Sequence, residues 1–355
     1  LIYRSFSLNI LGSSEGGFFV TTKLNHISII GAGAWGTALA EVLADAGRVV
    51  TLYARSADLA DAICSQRENA LYLPGVRLNP AICATHDAAV AVQGADLVLL
   101  TTPAQFLRGT LKFLKPLLPA GVPLVNCAKG IEIETGKLLS EVARDVVPLH
   151  PYAVFSGPTF AGEVARGMPA AVTLATAADA ALGRLWAESL HGKSLRPYLS
   201  SDPVGAEASG ALKNVIAIAC GIVEGKKLGQ NARAAIMTRG MAEIKRFGLL
   251  KGAAVDTFLG LSGLGDLTLT CNSMASRNFS LGYEIGSGGR LQDIMASRRT
   301  VAEGVATARA ITILAETGSI DMPICRGVDR ILHGGAQVDE VIAGLLTRSL
   351  RSEAA

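Results

Sequence analysis

Lys213 is the residue whose type and setting point most directly to chemistry. It lies in Ala211-Leu212-Lys213-Asn214-Val215-Ile216-Ala217-Ile218-Ala219, a stretch that is apolar on nearly every side of a helix. Such a helix is buried, and a lysine inside it is costly unless it is paired or used. Desolvation disfavours the ammonium form and lowers its pKa, which moves the amine towards general acid–base work. A structural pairing with Asp or Glu fits the pattern equally well. Lys129 follows the strand-like run 124–128, with Gly130 next. At a strand end it can meet an anionic or carbonyl oxygen; as a turn lysine it would simply be solvated. Gly263-Leu264-Gly265-Asp266-Leu267 sets Asp266 in a tight apolar turn. There the carboxylate can hold a lysine, hold a substrate hydroxyl or cap a helix. Ser276-Arg277-Asn278 opens a helix, and free N–H groups with a guanidinium and an amide suit a phosphate.

A second set of residues suits a dinucleotide. Gly31-Ala32-Gly33-Ala34-Trp35-Gly36 has the spacing G-x-G-x-x-G, between the short apolar run 27–30 and the Ala- and Leu-rich segment 35–46. Spacing alone is weak, but a strand before it and a helix after it are what the motif requires. Gly31 allows the tight turn, Gly33 the approach of a pyrophosphate, and Gly36 the packing of helix on strand. The helix N-terminus then faces the phosphates. A structural turn without ligand is the alternative. The second strand, 49–53, ends in Ala54-Arg55-Ser56, where NAD-binding chains usually carry an acid for the ribose hydroxyl. Arg55 can instead pair with a 2′-phosphate, so NADP(H) is favoured or accepted; a solvated surface arginine is the plainer alternative.

The elements that must position these groups fall into two halves. Strands are expected at 27–30, 49–53, 96–101, 124–128, 152–156 and 170–174. Helices are expected at 35–46, 57–66 (capped by Ser56), 87–93 (opened by Asp87), from 106 to before Pro116, and at 137–146. Residues 69–75 read as a turn-rich loop. This alternation predicts a Rossmann-like α/β unit with a mainly parallel sheet, whose ligand crevice lies beyond the carboxyl ends of the strands. Gly33, Arg55, Pro103, Lys129 and Gly157 should line it. After Pro203 the strand signal stops, and helices are expected at 206–223, 232–247, 277–286, 302–316 and 325–332. The expected domains are thus an extension (1–24), a dinucleotide-binding domain (25–200) and an all-α substrate domain (201–355).

Composition narrows the class. Half of the 355 residues are hydrophobic, 18% are charged and the formal net charge is +3. A large core can be buried, and nothing in the balance calls for nucleic acid or a membrane surface. Cys64, Cys83, Cys127, Cys220, Cys271 and Cys325 form no C-x-x-C pair, which fits neither a disulfide framework nor a zinc site and suits a reducing cytosol. The five histidines are dispersed, and nothing suggests a metal. No apolar run reads as long enough to span a bilayer. Residues 1–23 are Ser- and Gly-rich, and begin with Leu1 rather than an ordinary initiator. They read as a disordered extension or start-site artefact; Phe18-Phe19-Val20 is too short for a signal-peptide core.

Taken together, the motifs resemble the bacterial NAD(P)-dependent glycerol-3-phosphate dehydrogenase family. The resemblance runs from about Ile27 to the last helices. It is carried by the ten residues from Gly31 to Ala40, Asn126-Cys127-Ala128-Lys129-Gly130 and Ser156-Gly157-Pro158-Thr159-Phe160-Ala161. The Lys213 stretch, Asn231-Ala232-Arg233 through Thr238-Arg239-Gly240, the Asp266 turn, Ser276-Arg277-Asn278 and Val301-Ala302-Glu303-Gly304 complete it. It implies interconversion of sn-glycerol 3-phosphate and dihydroxyacetone phosphate with NADP(H) or NAD(H), supplying phospholipid synthesis. A cytoplasmic homodimer is the expected form, although no residue pattern fixes the oligomeric state. By resemblance Lys213 is the general base in oxidation and the general acid in reduction. Lys129, Gly157, Thr159, Asp266, Ser276, Arg277 and Asn278 meet the substrate or orient the centre. Ala34, Trp35, Arg55, Lys129, Ala161, Arg277, Val301 and Glu303 sit with the dinucleotide. A related helical-lysine reductase such as one acting on ketopantoate is the rival enzyme, and a non-catalytic NADPH sensor is the rival from another class. The triplet 276–278 and the loop Gly157-Pro158-Thr159-Phe160-Ala161 argue against the former, and the register of Lys129, Lys213 and Asp266 against the latter.

Overall fold

The computed structural model describes residues 24–298 and 302–349; the extension up to residue 23 and Val301 lie outside the described residues. The strands are β1 (His26–Ile30), β2 (Val49–Tyr53), β3 (Glu68–Asn69), β4 (Leu73–Arg77), β5 (Ile82–Thr85), β6 (Leu97–Leu100), β7 (Leu124–Asn126), β8 (Tyr152–Ser156), β9 (Ala170–Thr176) and β10 (Leu195–Ser200). Eight of them form one sheet in the order β10-β9-β8-β7-β6-β1-β2-β5, with β3 and β4 paired apart. β1 and β6 are apolar because both faces are covered, as parallel strands between helices must be. Ile27 and Ile29 pack with Leu39 and Leu43 of the helix Ala34–Asp45. Ile30 points the other way, to Leu107 and Leu111 of the helix Leu107–Leu114. The chain builds outward from β1 through β2 to β5, then returns to β6 on the other side. That reversal leaves a crevice above the carboxyl ends of β1 and β6.

From Pro203 onward the described chain is helical. The helix Pro203–Gly225 is buried along almost its whole length, and helices Gly229–Leu250, Asp266–Cys271, Arg277–Gly286, Glu303–Thr317 and Pro323–His333 pack around it. Its contact with Arg277–Gly286 is unusually close. A Cβ on Gly221 would lie 2.0 Å from the Phe279 carbonyl oxygen, and one on Gly282 would lie 2.0 Å from that of Ile218. Glycine on both sides lets two backbones touch, and this sets Arg277 and Asn278 beside the helix that carries Lys213.

Several expectations need correction. Residues 69–75 are not a plain loop, because β3 and β4 form an antiparallel hairpin that buries Leu73 and Val76 in the core. β5 was not anticipated, since its four residues mix Cys83 and Thr85 with two apolar ones. β10 was hidden by Pro197 and Arg196, which an edge strand tolerates. β9 runs antiparallel to β8, the one exception to parallel pairing in the sheet. The helix expected at 137–146 begins at Leu139. Short helices Ala161–Ala165, Leu291–Ser297 and Val338–Leu346, and the longer Ala180–Leu190, add to those expected. Finally, Pro203–Gly225 is long and apolar enough by composition to cross a bilayer, yet its whole apolar window is buried inside the protein. Its apolarity is that of a core helix surrounded by other helices.

Candidate active site

The glycine turn assigns each glycine a different constraint. Gly31 has φ +119°, a region L side chains rarely adopt. Around a Cβ on Gly33 there is open space, which leaves room for a ligand to approach the backbone. A Cβ on Gly36 would collide with the Gly31 carbonyl oxygen at 2.0 Å. The Thr101 hydroxyl donates to the carbonyls of Ile30 and Gly31 at 3.0 and 2.8 Å, tying the turn to the end of β6. Gly33 is the N-cap of Ala34–Asp45 and offers no side-chain cap, so the first-turn N–H groups are left for another acceptor. Ala34 and Trp35 form the first positions of that helix. Arg55 is exposed just beyond β2, and Ala161 opens a helix that packs against Ala34–Asp45. These residues fit a dinucleotide: turn, uncapped helix end and flanking cation lie at one sheet edge.

The other half of the site is a buried charge cluster. Asp266, 0% exposed, is the first residue of its helix and does not cap it. One carboxylate oxygen accepts from Lys213 Nζ at 2.6 Å, and the other from Lys129 Nζ at 2.5 Å. Lys213 Nζ also donates to Thr270 Oγ1 at 2.6 Å, and that hydroxyl donates to the Asp266 carbonyl one turn back at 2.6 Å. Lys129 Nζ reaches the Gly157 carbonyl at 3.3 Å, which the Thr159 hydroxyl also approaches at 3.3 Å. Lys213 is 6% exposed. Burial pushes its pKa down to about 8; the Asp266 charge pulls it back up, and the Lys129 charge pushes it down again. The cluster therefore holds two ammonium groups on one carboxylate, and its excess positive charge faces the crevice side where Lys129 is less buried than its partners. An oxygen gaining negative charge is the complement of that arrangement.

The triplet divides. Ser276 is an N-cap whose hydroxyl accepts from Phe279 N at 3.2 Å. Asn278 is buried, donating to Asn214 Oδ1 at 3.0 Å and accepting from Gly304 N at 3.0 Å, so much of its amide is engaged in joining three helices. The side chain of Arg277 is exposed. Glu303 accepts from Ala104 N at 3.4 Å, beyond β6. Burial raises its pKa, while that backbone hydrogen bond and the Arg277 charge lower it. The structure thus gathers Lys129, Gly157, Thr159, Lys213 and Asp266 into direct contact. Thr270 was missed, although its place one helical turn after Asp266 could have signalled it. So was Asn214, beside Lys213, which fastens Asn278.

Comparison with known proteins covers both halves of the chain. Residues 26–182 match the NAD-dependent glycerol-3-phosphate dehydrogenase N-terminus family, and residues 202–343 the corresponding C-terminus family. The chain is 53% identical over 330 residues to the glycerol-3-phosphate dehydrogenase [NAD(P)+] of Rhodospirillum rubrum, covering 93% of this chain and 94% of the relative. It is 51% identical over 334 residues to that of Parvibaculum lavamentivorans, covering 94% and 100%. The crystal structure of glycerol-3-phosphate dehydrogenase from Coxiella burnetii superimposes with a TM-score of 0.88 at 36% identity, covering 92% of this chain and 99% of that one. With both halves matched and the site assembled between them, the chain belongs to the NAD(P)-dependent glycerol-3-phosphate dehydrogenase family.

Proposed function

We propose that this protein catalyses the reversible NAD(P)H-dependent reduction of dihydroxyacetone phosphate to sn-glycerol 3-phosphate. The observation that carries the reading is the buried Lys213–Asp266–Lys129 cluster at the carboxyl edge of a Rossmann-type sheet. The nicotinamide, when bound, supplies the hydride to substrate C2 in reduction and takes it back in oxidation. Gly31, Gly33, Ala34, Trp35, Gly36, Arg55, Ala161, Arg277, Glu303 and Val301 hold the dinucleotide. Lys213, as the ammonium, steadies the carbonyl oxygen as charge builds there and then gives it the proton; in oxidation the neutral amine takes that proton. Asp266 and Thr270 aim the amine. Lys129, Gly157 and Thr159 line the substrate, and Ser276, Arg277 and Asn278 form its phosphate end. Members of this arrangement act by orientation and charge, which suits a reaction whose bond-making belongs to the cofactor.

The residues up to about 200 form the dinucleotide-binding domain in this reading, and those from 201 the substrate domain. The product feeds phospholipid synthesis in the cytoplasm, and the working form is a homodimer, which sedimentation of the purified protein would check. The test of function is NADPH oxidation with dihydroxyacetone phosphate, repeated with NADH and with ketopantoate. Turnover with dihydroxyacetone phosphate alone is expected. Turnover with ketopantoate instead would move the protein to the rival reductase class. Tight NADPH binding with no turnover would make it a sensor.

A further inference from the structure

The β3–β4 hairpin lies between the second strand and β5, outside the main sheet, and no role described so far uses it. Its Asn69 is 0% exposed. The amide nitrogen donates to the Ala32 carbonyl at 2.9 Å and to Thr37 Oγ1 at 2.8 Å, and the amide oxygen accepts from Tyr72 N at 3.2 Å. Both amide hydrogens are therefore spent on the glycine turn and on the helix it opens. The pairing register shifts between Glu68 and Asn69, and an irregularity of that kind re-aims a side chain. Leu73 and Val76 of β4 share a buried core with Leu39 and Leu43, so the hairpin is a fixed platform.

We propose that Asn69 is a positioning residue for dinucleotide phosphate: by holding the Ala32 carbonyl inward it turns the Gly33 N–H outward. Among the described residues there is no cis peptide bond, so the Ala32 C=O and the Gly33 N–H point in opposite directions from one planar unit. A hydrogen bond to the first fixes the second. The bond to Thr37, itself 0% exposed, locks the turn to the first turn of Ala34–Asp45. That helix end lacks a side-chain cap, and its N–H groups stay available to a pyrophosphate. Gly33 would supply the donor, Asn69 its direction. The inference rests on the reading that this chain binds a nicotinamide dinucleotide.

The test compares wild type with Asn69→Asp, which is isosteric, keeps the acceptor for Tyr72 N and can accept from the Thr37 hydroxyl, but sets an oxygen that cannot donate against the Ala32 carbonyl. Dissociation constants are measured by fluorescence titration for NADPH and for adenosine 2′-monophosphate, which lacks the pyrophosphate. The expected result is NADPH binding weakened at least about tenfold, adenosine 2′-monophosphate binding changed less than about twofold, and kcat at saturating NADPH kept within about twofold. A residue that only supported the hairpin would lower the melting temperature and leave the ratio between the two ligands unmoved. If the aspartate variant does not fold, Asn69→Ser, which brings no charge, carries the same expectation at about fivefold. Folded variants that bind NADPH as wild type does overturn this inference and leave the proposed function standing. Wild type that binds neither NADPH nor NADH overturns both.

Discussion

The glycine turn and the lysine–aspartate centre share one edge of the sheet but are built from the chain in different ways. The turn is local: Gly31, Gly33 and Gly36 are close in sequence, and each constraint can be read from its own backbone. The charge centre is assembled over distance. Lys129 and Asp266 are 137 residues apart, and Lys213 and Asp266 are 53 apart. Defects in the first should be felt as lost binding of the dinucleotide. Defects in the second should be felt as lost proton transfer, with binding intact. The charged cluster is also the costlier construction, since two ammonium groups leave water for one carboxylate.

Mutations can break or sharpen this division. The largest effect is expected for Lys213→Ala, with kcat down roughly a hundredfold to ten-thousandfold, the range of a lost general acid–base. NADPH affinity by fluorescence should stay within about twofold; a parallel loss of affinity would erase the contrast. Gly36→Ala should do the reverse. Its Cβ has no room beside the Gly31 oxygen, so NADPH binding should weaken more than about tenfold with a lowered melting temperature, as overpacking costs about 1–3 kcal/mol. Lys129→Met removes the like charge that helps hold the Lys213 pKa down. The pH limb of the reduction should then move to more alkaline pH, which a kcat profile reads, alongside a raised KM for dihydroxyacetone phosphate. Arg55→Ala should weaken NADPH by roughly threefold to thirtyfold while NADH changes less than about twofold. Equal loss for both cofactors would detach Arg55 from the 2′-phosphate.

The smallest effect is a matter of stability. Glu207, on the Lys213 helix, accepts from Ser140 N at 2.9 Å, Ser140 Oγ at 2.5 Å and Tyr152 OH at 3.1 Å, joining the helical half to the sheet. Burial raises its pKa from 4.5 to about 7, against these hydrogen bonds. The folded protein therefore binds this proton more tightly than the unfolded chain does. The stability gained is fully present below the unfolded value and is lost as pH rises through about 7. Glu207→Gln should flatten the melting temperature across that window while leaving the dinucleotide constant unchanged.

Legibility in the sequence followed the same division. The glycine turn, the alternation of β1, β2, β6, β7 and β8 with helices, and the helical second half could be read because each rests on local period and turn chemistry. Ser56 and Asp87 cap their helices as their types suggest. Asn69 could not be read, because its meaning lies in what a two-residue strand brings it against. Nor could the choice among the possible roles of Asp266, which only its two lysine partners decide. β10 was obscured by a proline that an edge position permits. The family resemblance supplied residues, such as Thr159 and Ala161, whose place no periodicity discloses.

The central claim is that one amine, Lys213, carries the proton in both directions. The most direct measurement is kcat in each direction for the wild-type enzyme across roughly pH 6 to 10. Reduction needs the ammonium and oxidation the free amine. Reduction should fall and oxidation rise through a shared midpoint near 8, the value to which burial and Lys129, against the pull of Asp266, bring this lysine. Two profiles that move in the same direction, or that show no limb in this range, would contradict it.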